Sequence, residues 1–122
     1  MQTLKATEKN FFLMWLKILQ SFLKLGKKEQ LVLSRLLYYR HVLSKEISNK
    51  SIVEDLTMGT NTRKEIKKEL NMDTASFNNM LSSLRKKNMI VNNTINKKIV
   101  PNVEADFKNF KLVYNIEIHE DI

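Results

Sequence analysis

Cysteine is absent, glycine occurs only at Gly26 and Gly59, and proline only at Pro101. Without thiols there is no disulfide, no zinc finger and no cysteine nucleophile, and His41 and His119 lie too far apart in sequence to make a local metal motif. Two isolated glycines exclude a phosphate-cradling loop or a dinucleotide fingerprint, both of which need several residues that admit positive φ or close backbone approach. No cofactor is expected. A chain of 122 residues makes one compact domain or a little more, which excludes a multidomain enzyme. Long hydrophobic runs are also lacking. The longest apolar stretch, Phe11 to Leu25, would span roughly 22 Å as a helix, against roughly 30 Å for a hydrocarbon core, and Lys17 and Lys24 interrupt it. No membrane span is expected, and the polar opening from Met1 to Asn10 does not have the layout of a secretory signal.

What is present is positive charge. The chain carries 21 Lys and Arg against 13 Asp and Glu, a net charge of +8. It is unevenly placed: +6 over residues 1–44, −1 over 45–60, +6 over 61–100 and −3 over 101–122. A small basic domain concentrates polyanions at its surface, and nucleic acid is the commonest such partner. The 17 Lys, 4 Arg and 13 Asn also fit an AT-rich genome, so part of the charge can follow from codon bias.

Hydrophobic periodicity divides the chain. From Phe11 to Leu25 the polar residues Lys17, Gln20, Ser21 and Lys24 recur every three or four positions among apolar ones, which predicts a helix with a narrow wet stripe. A helix apolar over most of its circumference needs more than one packing surface, so Phe11, Phe12, Trp15, Leu16, Leu19 and Phe22 are candidates for an oligomer interface. Gly26 reads as the stop of this helix, and Leu31 to Tyr39 mark a second helix over about Lys28–Arg40. Between His41 and Gly59 the pattern is weaker, with a short helix after Asn49 or Ser51 as one reading and a partial loop as the other.

Thr62-Arg63-Lys64-Glu65 has the spacing of a capping box and predicts a helix start at Thr62. Asn71 suits its left-handed end. Asp73 or Thr74 caps a further helix with Phe77, Leu81 and Leu84 as its buried stripe. After Asn88 the pattern becomes β, with Met89 to Val91, a tight Asn92-Asn93 turn, and a strand over Thr94 to Val100. Residues 110–119 alternate with period two and predict a C-terminal strand.

Thr62 to Leu70, the Asn71-Met72-Asp73 turn, the Phe77, Leu81 and Leu84 stripe and the Asn88-Met89-Ile90 exit together resemble the winged helix-turn-helix family over roughly Lys28 to Val100. The exit is similar to that of regulators of the multiple-antibiotic-resistance type, and the whole resembles small winged-helix proteins encoded by bacteriophages. Lys67 departs from the pattern, since many helix-turn-helix proteins keep a small buried residue there. The resemblance implies a mainly α fold with a small β-hairpin wing (α+β). An apolar helix over residues 1–26 would precede a winged domain over 27–100, and an acidic extension with a strand would follow over 101–122.

It also implies double-stranded DNA as partner, with a recognition helix at about 74–88. Thr74, Ser76, Asn78, Asn79, Ser82 and Arg85 are then candidates for base edges, with Asn suited to adenine and Arg to guanine. Lys64, Lys67, Lys68 and Lys86 are candidates for phosphates, and Lys97 and Lys98 would extend the footprint from the wing. A regulator or replication accessory that self-associates through the N-terminal helix is one reading. The other is a structural or adaptor component of a phage virion, in which the winged helix serves as a packing block among virion proteins. The expected location is the cytoplasm, that of the host if phage-encoded, or the virion. RNA is disfavoured because the aromatics sit at core-like spacing.

No enzyme is expected. Glu65 and Glu69 lie one turn apart among Arg63, Lys64, Lys67 and Lys68, which suits surface ion pairs better than acid-base work. Ser76, Ser82 and Ser83 have no histidine near them in sequence.

Overall fold

The computed structural model of the chain describes residues 3–103, 107–112 and 117–118. Helix α1 (Glu8–Ile18) is capped by Thr7, whose hydroxyl accepts from the Asn10 amide at 3.1 Å. Leu19 interrupts it, and α2 (Gln20–Leu23) adds a single turn before the chain reverses. The reversal differs from expectation. Lys24, not Gly26, takes the left-handed conformation, and Gly26 is the N-cap of the next helix. The Gln20 amide holds the corner, donating to Leu25 O at 2.6 Å and accepting from the Leu25 amide and from Gln30 Nε2.

Helix α3 (Lys27–Glu46) is longer than its apolar pattern indicates and is the centre of the molecule, packing against α1 and against the three helices that follow. Its Val32, Leu33, Leu36 and Leu37 are fully buried. Helix α4 (Lys50–Thr57) starts at Asn49, whose side chain accepts from the Ser51 and Ile52 amides. A tight turn at Met58-Gly59 follows. A Cβ at Gly59 would lie 3.2 Å from Leu56 O and 3.3 Å from Asp55 O, a close approach that favours glycine.

Because that turn closes at once, α5 (Thr60–Leu70) begins two residues before the expected start, and the Thr62–Glu65 capping box does not form. Thr62 instead donates its hydroxyl to Leu56 O at 2.8 Å. Asn71 ends α5 at φ 52°, and α6 (Thr74–Lys86) starts at Asp73, whose carboxylate accepts from the Ser76 amide at 2.7 Å. Phe77, Leu81 and Leu84 are buried, as their spacing predicts.

Strands β1 (Ile90–Val91) and β2 (Thr94–Ile95) pair antiparallel, Ile90 opposite Ile95 and Val91 opposite Thr94. Asn92 and Asn93, at φ 52° and 57°, form the two-residue turn. The second strand is shorter than expected. Asn96 donates to Asn88 O and accepts from the Lys98 amide, which turns the chain into a 3-10 helix (Lys97–Ile99). Ile99 drops into the core, and the Trp15 indole donates to its carbonyl at 2.8 Å. The fold is thus mainly helical with a small two-stranded antiparallel sheet.

The N-terminal helix is used differently from the expected oligomer interface. Phe12, Trp15 and Leu16 are buried in the chain's own core. Phe11 and Leu19 are half-buried against it, and Phe107 and Phe110 stack edge-to-face on Phe11, with Phe110 also on Trp15. A narrow wet stripe requires burial on two sides, and α3 and the C-terminal segment supply both. Of the six, Phe22 alone stays open, at 71% exposure. Half of the expected C-terminal strand, residues 113–116 and 119, lies outside the described ones, and Phe110 to Leu112 are not in a strand.

Candidate nucleic-acid interface

The α5–turn–α6 unit presents one polar face. Thr74, Asn78 and Ser82 recur every four residues along α6, with Arg85 three further on, so they lie on one side of the helix. All four are exposed, as are Asn79 and Lys86 beside them. Phe77, Leu81 and Leu84 hold the opposite side against α3, so the exposed arc cannot rotate inward. Ser76 departs from the arc. It is half-buried on the far flank, seven residues before Ser83, and Ser83 donates to Glu29 of α3.

Lys64, Lys67 and Lys68 share one edge of α5. Lys67 is half-buried, and its ammonium donates to Thr74 Oγ1 at 3.2 Å, which brings the α5 edge to the start of α6. The Lys67 ammonium thus reaches the α6 face.

The carboxylates of α5 sit on its other edge. Glu69 pairs with Lys9 of α1 and Arg35 of α3, both at 3.3 Å, and accepts from the Tyr39 hydroxyl. Burial raises the Glu69 carboxyl, but the Tyr39 and Lys9 bonds and the charges of Lys9 and Arg35 outweigh it and hold the group below the usual range. The same contact, after burial, pushes the Tyr39 phenol well above its ordinary value. Tyr39 also feels the charge of Glu65. The sequence suggests pairing of Glu65 and Glu69 with their own helix; the structure pairs Glu69 across to α1 and α3. Among the described residues Lys64, Lys67, Lys68, Arg85 and Lys86 are in no ion pair.

A second clamp fixes the far end of α6. Lys87 donates to Glu29 Oε1 at 2.7 Å and to Lys24 O, and the Gly26 amide donates to the same Glu29 oxygen. Burial raises the Glu29 carboxyl; the bonds from Lys87, Ser83 and Gly26 bring it below its ordinary value. Asp73 is lowered as well, chiefly by the Ser76 amide.

No protein-family model, curated protein or solved structure matches the chain. Its function rests on its own geometry.

That geometry leaves two of the candidate lysines elsewhere. Lys97 and Lys98 are exposed on the 3-10 helix beyond the hairpin, not on the hairpin tip, and Lys97 lines a groove with the end of α3 and the start of α4. The tip itself is Asn92 and Asn93, both exposed and uncharged. Lys87 and Glu29, which set the position of α6, were not apparent in the sequence because they are 58 residues apart. Among the described residues no group of three His, Asp or Glu is placed to hold a metal ion, and no helix is long and apolar enough to cross a membrane.

Proposed function

We propose that the chain is a winged helix-turn-helix protein that binds double-stranded DNA through α6 and the lysine edge of α5. One observation carries the reading: the exposed arc of α6 and the adjoining edge of α5 bear five cations without ion pairs, while Glu69 and Glu29 are drawn to the opposite sides. Asp73, the carboxylate at the start of the arc, is committed to a backbone amide. An α-helix, about 10–12 Å across with its side chains, fits a major groove about 12 Å wide. Asn78 and Asn79 suit adenine edges and Arg85 a guanine, while Lys64, Lys67, Lys68 and Lys86 set register on the phosphates. Thr74 and Ser82 complete the polar arc, and Ser76 supports it from the flank. With an uncharged tip at Asn92-Asn93, the hairpin adds hydrogen bonds rather than charge.

Fluorescence anisotropy with duplex DNA across a salt series tests this. Arg85→Ala should cost about 1–3 kcal/mol on a preferred duplex, and Lys64→Ala with Lys67→Ala should reduce the slope of log K against log salt by about 2. Unchanged affinity in both variants would remove α6 from the interface. A second reading, a packing block within a virion or other assembly, is favoured by exposed apolar side chains at Phe22, Ile52 and Leu56. It predicts weak DNA binding together with a mass well above the 14.4 kDa of one chain in sedimentation.

A further inference from the structure

Away from α6, the end of α3, the loop into α4 and the segment after the 3-10 helix line an open groove of about 550 Å³. That lies within the roughly 300–1,000 Å³ of small-molecule sites. Its walls are of two kinds. Ile47, Val53, Val100 and Pro101 make an apolar side, while the basic residues Arg40, Lys50 and Lys97 line the same space. Among the described residues one carboxylate answers them: Glu54 accepts from Arg40 Nε at 2.7 Å and holds the guanidinium in place. Lys50 and Lys97 are in no ion pair among the described residues. The α4 amides are already taken by Asn49, at 3.0 and 3.2 Å, so any anion affinity rests on the three side chains rather than on the helix end.

We propose that this groove binds an organic phosphomonoester, its phosphate among Arg40, Lys50 and Lys97 and its carbon body against Ile47, Val53 and Val100. Among the described residues, three cations against one carboxylate leave an excess of two positive charges, which a phosphomonoester dianion matches. A monocarboxylate leaves one cation unanswered, and inorganic phosphate leaves the apolar wall wet. Phosphomonoesters occur both as free metabolites and at the 5′ ends of nucleic-acid strands, and the chemistry recognised is the same.

An NMR titration of the full chain with phenyl phosphate tests the site, with inorganic phosphate and phenol titrated alongside. Saturable shifts should be confined to residues 40–53 and 97–103. Affinity should exceed that for inorganic phosphate or phenol by about tenfold, and Lys50→Glu should lower it by at least about tenfold. Shifts scattered over surface lysines, equal affinity for inorganic phosphate or phenol, or binding unaltered by Lys50→Glu would overturn the proposal. AMP and a 5′-phosphorylated dinucleotide, each compared with its unphosphorylated form, distinguish a free ester from a strand end. No gain from the phosphate in either pair also overturns it. Lys50 has no place on the α6 face, so duplex binding by Lys50→Glu separates failure of this site from failure of the DNA reading.

Discussion

Among the described residues, four of the five positions with a left-handed backbone are asparagines: Asn71, Asn88, Asn92 and Asn93, the fifth being Lys24. Neither glycine adopts positive φ, so asparagine does the work that glycine does in most chains. Asn93→Gly should therefore stabilise the protein by a few tenths of a kcal/mol or more, and Asn71→Val should destabilise it by about 1–2 kcal/mol. Thermal melts check both. Glu29 gives a prediction in pH. Its folded carboxyl is held low, so it adds stability at neutral pH that is lost as pH falls below about 4.5 and through the folded value. Glu69 and Asp73, also held low, act in the same direction. Stability measured by urea melts should thus decline on acidification, and Glu29→Gln should flatten part of that decline while costing about 1–3 kcal/mol at pH 7.

At the scale of elements, the α5–turn–α6 unit and the Asn-Asn hairpin were legible because caps, turn residues and apolar spacing are local signals. Asp73, Asn71 and the Phe77, Leu81 and Leu84 stripe sit where the pattern puts them. The capping box at Thr62 and Glu65 was misleading, since a tight turn at Gly59 leads directly into the helix and directs the Thr62 hydroxyl to Leu56 O. The two elements predict different outcomes. Asp73→Ala should cost about 0.5–2 kcal/mol through loss of a true cap. Glu65→Ala should change stability by less than about 0.5 kcal/mol, because it closes no box. Equal losses in chemical melts would contradict this account. The strand after the hairpin is shorter than its sequence pattern predicts for a related reason: Asn96 bonds back to Asn88, and Ile99 is held by the Trp15 indole rather than along the sheet.

For the whole molecule, the N-terminal helix and the C-terminal segment close the core around α3. Leu16→Ala should cost about 2–5 kcal/mol, as for other buried leucines, whereas Phe22→Glu should stay within about 0.5 kcal/mol. A large loss at Phe22, or a fall in sedimentation mass with that variant, would place it in an interface between copies. The sequence alone determined the basic character, the helix, turn, helix and hairpin order over residues 60–95, and the polar arc of α6. These follow from composition, from a period of 3.6 residues and from turn chemistry, each readable within a few positions. Only the tertiary structure decided which faces of the almost wholly apolar N-terminal helix are covered, that Glu69 meets Lys9 and Glu29 meets Lys87, and hence which lysines are left without partners. It also brought Arg40, Lys50 and Lys97 to one groove. Those outcomes depend on contacts between residues distant along the chain, and a local period encodes which side of a helix is apolar but not what will pack against it.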